Sequence, residues 1–254
     1  MFIDTHAHLQ WKSFDKDRKL VIKRAGKNQV LHIVNIGFDI ETSKKAIELA
    51  DQYKELYATV GIHPHNANQL DEKNLGILKT LSKNNSTIAI GEIGLDYYRN
   101  LSPKKIQKKV FETQLLLASE QNLPVIIHNR DAELDVIAIL SKFKGKIRGI
   151  MHCFSADISF AKKCIQLGFL ISFAGNITYS KAYNLHKTAK WINLEKMLIE
   201  TDCPWLAPQS VRGKRNEPSY LPKIAQKIAD LKQISIKEIA EETTKNAKKI
   251  FSIK

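Results

Sequence analysis

The feature that most constrains the fold of this chain is a series of eight short apolar segments. Most are followed by a segment in which apolar residues recur at helical spacing. The apolar segments are rich in β-branched residues and do not alternate with polar ones, as expected of strands covered on both faces of a parallel sheet. They comprise residues 1–8, 30–37, 57–61, 87–93, 124–128, 148–153, 169–173 and 196–201. The sequence therefore predicts eight parallel strands.

Segments with helical periodicity lie between or after several of these strands. Ser102 and Pro103 supply an N-cap and a first-turn proline for a long helix. Asp131 and Asp157 are acidic caps that begin two further helices. The predicted helices cover residues 40–53, 103–121, 131–143, 157–167, 218–232 and 235–251.

Eight units of strand then helix in 254 residues match the size and order of a (β/α)8 barrel, the TIM barrel. The alternation alone leaves a doubly wound sheet open, because that fold is built from the same units. The chain has no linker rich in glycine, serine and proline and no obvious internal repeat. We therefore expect residues 1–254 to form one domain, with residues 211–217 as an exposed loop.

The composition is that of an ordinary globular protein, since 43% of the residues are hydrophobic and 26% are charged. No apolar run approaches the roughly 18 residues that span a bilayer, and the first residues do not resemble a signal peptide. The three cysteines form no CxxC pair, which argues against a disulfide framework. These features predict a cytoplasmic protein without a membrane partner. They leave the oligomeric state open, and a monomer is compatible with them.

The chain is strongly basic, with 40 lysines and arginines against 26 acidic residues and a formal net charge of +14. Clustered positive charge favours association with nucleic acid. However, 33 of the 40 basic residues are lysines, and a chain rich in Lys, Asn and Ile is also typical of A/T-rich genomes. The charge alone therefore leaves nucleic-acid binding open.

Histidines and carboxylates fall at the ends of the predicted strands, which in a parallel barrel open onto the face where the active site is built. His6 and His8 are two residues apart on the first strand and so point to the same side. A single histidine in an apolar run is more often a core residue, but here the pattern recurs on five strands. The six candidate metal ligands are His6, His8, Glu92, His128, His152 and Asp202.

The chemical types of these six side chains restrict the metal. Four imidazoles and two carboxylates suit Zn²⁺, with Mn²⁺ or Ni²⁺ as alternatives, better than an oxygen-only Ca²⁺ site. Six ligands exceed the four that one tetrahedral Zn²⁺ takes. A site for two metal ions with one bridging carboxylate fits the count.

Several longer motifs surround these residues. They are FIDTHAHL at 2–9, GIHPH at 61–65, GEIGLDYY at 91–98, HCFS at 152–155, ETDCPWLAP at 200–208, GKRNEP at 213–218 and NA at 246–247. In this order they resemble the TatD family of metal-dependent deoxyribonucleases, within the amidohydrolase-like superfamily, over nearly the whole chain. The chain departs from the family pattern at Cys203, where alanine is usual, and at Trp205, where tyrosine is frequent. Cys203 neighbours Asp202 and should point to the opposite side, so the predicted ligands are unaffected.

The resemblance implies a (β/α)8 barrel that carries two divalent metal ions, with Zn, Mn, Mg and Ni as candidates. The implied ligands are His6, His8 and Asp202 for one ion, His128 and His152 for the other, and Glu92 as a bridge between both. The reaction is then hydrolysis by a metal-activated water, with Glu92 and Asp202 as the catalytic carboxylates. We expect Asp202 to orient this water and accept its proton, and a ligand without a proton role is the alternative.

Three more side chains are expected to serve the substrate or the ligands. His63 and His65, in the GIHPH motif, are expected to contact substrate phosphate or to position metal ligands rather than bind metal. Glu200 lies two residues before Asp202 and should also face inward. It is expected to hydrogen-bond a ligand histidine, with the filling of a barrel layer as the alternative.

Arginine is the residue type best suited to bidentate phosphate contacts. Arginines that follow site-bearing strands or lie in the loop after the last strand are Arg99, Arg130, Arg212 and Arg215. We expect Arg99, Arg130 and Arg215 to bind substrate. Single-stranded DNA also needs aromatic platforms. The candidates are Tyr97, Tyr98, Phe154 and Trp205, any of which could instead pack over the barrel mouth.

Two enzymatic functions and one non-enzymatic function are compatible with these patterns. The resemblance implies a metal-dependent phosphodiesterase that acts on DNA as an exonuclease, with single-stranded DNA or a free end as its partner. The alternative is a hydrolase of a small amide, ester or lactone, because the same ligands in the wider superfamily act at carbon. Many of those enzymes carry a carboxylated lysine on strand four, where this chain has Glu92, which favours the nuclease. A non-catalytic nucleic-acid-binding barrel leaves the ligand cluster unexplained.

Overall fold

The eight predicted strands form one sheet and are hydrogen-bonded in chain order. The structure, a computed structural model, describes residues 1–253. The strands are β1 Phe2–Ala7, β2 Val30–Ile36, β3 Leu56–Val60, β4 Thr87–Asp96, β5 Val125–Arg130, β6 Gly149–Met151, β7 Phe169–Phe173 and β8 Met197–Ile199. Ala7 also bridges Cys203, just beyond β8, and this contact closes the sheet onto its first strand. Because a doubly wound sheet reverses its strand order, the observed order confirms the (β/α)8 barrel.

Helices separate the strands, and all six helices expected from the sequence are present. Within residues 1–253 the α-helices are α1 Arg18–Lys27, α2 Ile40–Gln52, α3 Glu72–Leu81, α4 Lys104–Gln121, α5 Glu133–Ser141, α6 Ile158–Gln166, α7 Tyr183–Trp191, α8 Leu221–Lys232 and α9 Ile236–Phe251. The helices α1, α3 and α7 are not among those expected. In α1 only Val21, Ile22 and Ala25 are buried, and so short an apolar stripe among charged residues gives a weak periodic signal.

Two of the expected helix starts are wrong. Pro103 lies at the N-cap of α4 rather than in its first turn, and Ser102 Oγ donates to a backbone carbonyl outside the helix. Helix α5 begins at Glu133, two residues after Asp131, whose φ of 54° is left-handed. Asp157 does cap α6, because its Oδ1 accepts a hydrogen bond from a backbone N–H of the first turn (2.9 Å).

Strand lengths determine where the site side chains fall. Strand β4 runs to Asp96, beyond the expected end at residue 93. Gly94 permits its pairing with β5, because a Cβ at this position would overlap the carbonyl oxygen of His128. Strands β6 and β8 are short, so His152 and Asp202 lie in the loops that follow them.

The loop at residues 211–217 is exposed only in part, so that expectation is wrong for its last residues. Asn216 and Glu217 are buried. Asn216 Nδ2 donates to the carbonyl oxygens of Thr201 (2.8 Å) and Trp205 (2.6 Å). One amide side chain therefore holds both ends of the segment that follows β8.

Contacts between Cα atoms divide the chain into two compact units. The first contains residues 1–35, 153–162 and 170 to the end of the described chain, and thus β1, β8 and most of β2 and β7. The second contains residues 36–152 and 163–169, and thus β3 to β6. The organisation of residues 1–254 as one domain stays a prediction. Among the helices of the described chain, none combines the length and the apolar composition that a membrane span requires.

Candidate metal centre

Three of the predicted ligands meet within the first unit, in what we call the HxH cluster: His6, His8 and Asp202. Nε2 of His6 and Nε2 of His8 are 3.1 Å apart. Oδ1 of Asp202 lies 3.7 Å from the first nitrogen and 3.6 Å from the second. Both histidines are buried, while Asp202 keeps 14% of its side chain exposed. Two facing imidazole nitrogens and one carboxylate oxygen form a donor set that fits a divalent cation.

Backbone hydrogen bonds place these three ligands. The N–H of Asp202 donates to the carbonyl oxygen of His6 (2.8 Å), and the N–H of His8 donates to the carbonyl oxygen of Cys203 (2.9 Å). Asp202 has a left-handed φ of 55°. Cys203 is fully buried, as the packing residue expected beside a ligand. The pairing of strand ends thus sets the geometry of the HxH cluster.

The buried carboxylate of Asp4 binds the same backbone segments. Asp4 accepts hydrogen bonds from the N–H of His6 (3.3 Å), the N–H of Thr201 (2.9 Å) and Oγ1 of Thr201 (2.6 Å). Burial raises the pKa of Asp4 to about 7, although the hydrogen bonds from Thr201 oppose this shift. Asp4 therefore ties β1 to the segment that carries Asp202.

The other predicted ligands meet within the second unit, around one oxygen atom. Oε1 of Glu92 lies 2.9 Å from His128 Nδ1, 3.0 Å from His152 Nε2 and 3.4 Å from His63 Nε2. We call these four residues the Glu92 cluster. Burial acts to raise the pKa of Glu92, but the surrounding histidines outweigh it and hold the pKa well below its usual range. The carboxylate is therefore ionised and available as a ligand.

His63 brings a fourth donor atom to this cluster, and its hydrogen bonds show how it can act. Its Nδ1 accepts a hydrogen bond from the N–H of His65 (3.1 Å). Burial lowers the pKa of His63 to about 4, so the ring is neutral near pH 7. A neutral imidazole whose Nδ1 accepts must carry its proton on Nε2. His63 thus faces Glu92 as an N–H donor, which favours the expected positioning role over metal binding.

Sequence reasoning assigned no role to Asp96, which the structure brings into contact with two histidines. Its Oδ2 accepts hydrogen bonds from Nε2 of His65 (2.9 Å) and Nε2 of His128 (3.1 Å). Burial acts to raise the pKa of Asp96, but His128 and His65 outweigh it and hold the pKa far below its usual range. One signal was available: Asp96 and Glu92 are four residues apart on β4, and an even spacing puts both on one face of a strand.

The hydrogen bonds of His65 and Glu200 bear on the roles expected for them. Nε2 of His65 is engaged by Asp96, so this nitrogen is not directed at a substrate phosphate. Glu200 is fully buried, and its Oε1 accepts from the N–H of Cys153 (2.7 Å). Its Oε2 accepts from Ser172 Oγ (2.6 Å). Glu200 therefore anchors the backbone immediately after His152, and its expected hydrogen bond to a ligand histidine stays a prediction.

Arg215 is engaged by the protein itself, so the expectation that it binds substrate is not supported by its geometry. Its two Nη atoms lie 2.9 Å and 2.7 Å from the carboxylate oxygens of Asp17, and one also donates to the carbonyl of Ser13. Arg24 links the same Asp17 (3.2 Å) to Glu217 (2.6 Å). We assign Arg215 to holding the loop after β8 against the start of α1.

The remaining arginines and aromatic residues differ in exposure. Phe154 is a core residue that stacks on Phe160 (5.9 Å between ring centroids), and Tyr97 donates its hydroxyl to Asp135. Tyr98 is 63% exposed, and the guanidinium of Arg130 stacks 3.9 Å from its ring centroid. Other exposed side chains follow site strands. They are Arg99, Arg212 and Trp205.

Clusters of buried imidazoles and carboxylates at the strand ends of a (β/α)8 barrel define a class, the metal-dependent hydrolases. Comparison with known families narrows this class. The sequence profile of the family described as TatD related DNase matches residues 3–252, and the chain therefore belongs to this family.

Two individual relatives and one solved structure are consistent with membership of this family. An uncharacterized metal-dependent hydrolase of Bacillus subtilis, YabD, is 46% identical over 254 residues, which cover 100% of both chains. A protein of Erwinia tasmaniensis named 3'-5' ssDNA/RNA exonuclease TatD is 34% identical over 98% of this chain and 99% of its own. The crystal structure of YJJV, a TatD homologue from Escherichia coli K12, has a TM-score of 0.94 at 28% identity. It covers 100% of this chain and 98% of its own.

Proposed function

We propose that this hydrolase cleaves phosphodiester bonds at a free end of single-stranded DNA, as an exonuclease that uses two divalent metal ions. The observation that carries the proposal is the existence of two donor sets, each combining imidazole nitrogens with a carboxylate oxygen. The name of the 34% identical relative, a 3'-5' ssDNA/RNA exonuclease, supports the choice of substrate class.

One ion is assigned to the HxH cluster and the other to the Glu92 cluster. The proposed ligands are His6, His8 and Asp202 for the first ion and Glu92, His128 and His152 for the second. Bound divalent ions supply Lewis acidity, which makes water a nucleophile near neutral pH and offsets charge on the attacked phosphate. Zn²⁺, Mn²⁺, Mg²⁺ and Ni²⁺ are the candidates. The bridging role of Glu92 that the resemblance implies stays a prediction.

We assign acceptance of the proton from the attacking water to Asp202 rather than to Glu92. Glu92 is surrounded by three imidazoles that hold its pKa far below neutral pH, and so weak a base is a poor proton acceptor. Asp202 is the more exposed of the two carboxylates, at 14% against 7% of the side chain. Glu92 then acts by holding its histidines and the ion in place.

The proposed contacts with the nucleic acid use exposed groups near the strand ends. Arg99 and Arg130 are assigned to phosphate oxygens, since Arg99 is exposed just after β4 and Arg130 is the exposed last residue of β5. The Tyr98 ring and the Trp205 ring, 63% and 43% exposed, offer surfaces on which bases can stack. Arg215 has no place in this set, because Asp17 already binds its guanidinium.

The test is hydrolysis of end-labelled single-stranded DNA with Mg²⁺, Mn²⁺ or Zn²⁺, beside a panel of lactones, amides and esters. We expect shortened DNA products from the wild type, and no products from His152→Ala. His186→Ala is the matched control, because His186 lies on α7 and its Nε2 is bound to the backbone carbonyl of Ile177 (2.8 Å). Turnover of the small molecules with intact DNA would reverse the assignment in favour of the amide, ester or lactone hydrolase.

A further inference from the structure

We propose that Asp96 is a positioning residue that makes Nδ1 the metal-coordinating atom of His128 and gives His63 the opposite role of an N–H donor. The inference rests on the proposed metal site and deepens it. Its starting observation is that one oxygen, Oδ2 of Asp96, accepts hydrogen bonds from both His65 Nε2 (2.9 Å) and His128 Nε2 (3.1 Å).

The direction of these hydrogen bonds fixes a proton on Nε2 of His128. An ionised carboxylate only accepts, so the His128 nitrogen that faces Asp96 must carry a proton. The other nitrogen, Nδ1, faces the second ionised carboxylate, Glu92, and donates its proton to it when no ion is bound. An ion at this cluster would replace that proton, while the hydrogen bond to Asp96 keeps the proton on Nε2. Nδ1 lies 2.9 Å from Oε1 of Glu92, within the candidate metal cluster. Carboxylates that bond the outer nitrogen of a ligand histidine select its coordinating atom and raise its basicity in this way.

The carboxylate of Asp96 is itself held in a single orientation. Its side chain is 1% exposed, and Oδ1 accepts the N–H of Arg99 (2.7 Å). Gln107, on α4, binds both backbone groups of Asp96: its Oε1 accepts the N–H (2.8 Å) and its Nε2 donates to the carbonyl (3.0 Å). Asp96 therefore cannot rotate away from the histidines without losing buried hydrogen bonds.

The contacts close into a ring of five residues: Glu92, His128, Asp96, His65 and His63. From Asp96 the ring continues through the His65 side chain to the His65 backbone N–H, which donates to Nδ1 of His63. His63 Nε2 then faces Glu92 Oε1 at 3.4 Å, which returns the ring to its start. His65 is held in turn because its carbonyl accepts Ser102 Oγ (3.0 Å).

The ring gives different chemical roles to two histidines that face the same oxygen of Glu92. With an ion bound, His128 would present a lone pair there, because the proton that it keeps is on the side of Asp96. His63 presents a proton there, because its Nδ1 already accepts from His65. One ion can therefore coordinate His128 while His63 donates to Glu92 or to an oxygen bound beside it.

Two measurements test this inference without any nucleic acid. The first is the pattern of long-range ¹⁵N–¹H couplings of the histidine rings in the Zn²⁺-loaded wild-type protein, which needs no variant. We expect His128, His65 and His63 all to carry their proton on Nε2. A proton on Nδ1 of His128 or of His63 would overturn the assignment.

The second measurement is a Zn²⁺ titration of the metal-free protein, followed by calorimetry and by metal analysis. Asp96→Asn should weaken binding of one of two ions by about 10- to 100-fold, the usual effect of losing such a partner, and leave the other within about 3-fold. Asp135→Asn is the matched control: this nearby carboxylate accepts the Tyr97 hydroxyl (2.6 Å) and contacts no histidine of the ring. Equal affinities in the wild type and Asp96→Asn would contradict the proposal.

The two proposals fail separately. If the wild type binds two ions with the expected tautomers and leaves DNA intact, the proposed nuclease function is wrong and the role of Asp96 stands. If DNA is cleaved but Asp96→Asn binds both ions normally, the role of Asp96 is wrong and the nuclease stands. Should Asp96→Asn fail to give the circular dichroism spectrum of the wild type, the tautomer measurement decides.

Discussion

The HxH cluster and the Glu92 cluster use similar side chains but position them by different means. In the HxH cluster His6 lies on strand β1 and His8 directly follows this strand, while Asp202 is placed by a hydrogen bond from its own backbone N–H to the carbonyl of His6. In the Glu92 cluster the ligands come from β4, β5 and the loop after β6, and other side chains orient them. Backbone pairing, with the Asp4 carboxylate as a side-chain support, places the ligands of the HxH cluster. A ring of side-chain hydrogen bonds orients those of the Glu92 cluster.

This difference has consequences for how each cluster responds to mutation. Backbone pairing survives most side-chain substitutions, so the HxH cluster should tolerate changes around its ligands. A buried side-chain network loses several hydrogen bonds when one member is removed, because the partners that remain are left unpaired. The Glu92 cluster should therefore be the more sensitive of the two to substitutions beyond the ligands themselves.

The largest effect is expected at Glu92, the common contact of three histidines. Glu92→Gln keeps the shape but removes the negative charge, and we expect hydrolysis to fall by about 10⁴-fold, corresponding to several kcal/mol of lost stabilisation. Initial rates on end-labelled DNA measure this. Glu112→Gln is the control, because Glu112 forms an exposed ion pair with Lys142. A rate within tenfold of the wild type would mean that Glu92 is no part of the reaction.

A smaller loss of activity is expected at Asp202, with a different pattern of metal binding. Asp202→Asn should reduce the rate by about 10³-fold, within the range typical of a lost proton acceptor. Because backbone bonds place His6 and His8 independently of this side chain, the ion of the HxH cluster should bind within about tenfold of its wild-type affinity. Loss of that ion together with the activity would make Asp202 a ligand without a proton role. Asp230→Asn, an exposed carboxylate on α8, is the control.

Removal of either metal ion should lower the free energy of unfolding of the protein, since an ion that binds only the folded chain stabilises it. At a free concentration one hundred times the dissociation constant, one ion contributes about 2.7 kcal/mol to the free energy of unfolding. We expect the melting temperature to fall in EDTA and to recover when Zn²⁺ is restored. In His8→Ala and in His152→Ala, restoring Zn²⁺ should raise the melting temperature by only part of the increase seen in the wild type. An unchanged melting temperature in EDTA would contradict metal binding.

The smallest effect is expected at an ion pair that holds the loop after β8, the pair of Arg215 and Asp17. The hydrogen bonds from Arg215 lower the pKa of Asp17 below its ordinary 3.8. Asp17→Asn should therefore cost about 1 kcal/mol of stability at pH 7. Since the pKa is depressed in the folded state, the contribution is present above pH 3.8 and disappears as the pH falls through the folded-state value.

Urea denaturation of the wild type and Asp17→Asn at pH 7 and at pH 3 measures this difference. Asp15→Asn is the matched control, because Asp15 is 61% exposed and pairs with Arg18. The control should change stability by less than half as much. A difference between the wild type and Asp17→Asn that persists unchanged at pH 3 would contradict the assigned charge pairing.

The contrast between the clusters also explains how much the sequence could predict. Strand positions follow from apolar runs, and the pairing of strand ends brings His6, His8 and Asp202 together, so these expectations needed only local patterns. The role of Asp96 depends on which nitrogen of His128 is protonated, and that is a property of the folded network. The partner of Arg215 lies 198 residues away in the chain, where no local pattern connects them. The helices α1, α3 and α7 were missed because their apolar stripes are short.

The central claim is that each cluster holds its own divalent ion. Metal analysis of Zn²⁺-loaded, dialysed protein tests it most directly in three proteins, the wild type, His8→Ala and His152→Ala, with His186→Ala as control. The account predicts two ions per chain for the wild type and the control, and one for each of the other variants. One ion in the wild type, or the loss of both ions in either single variant, would contradict it.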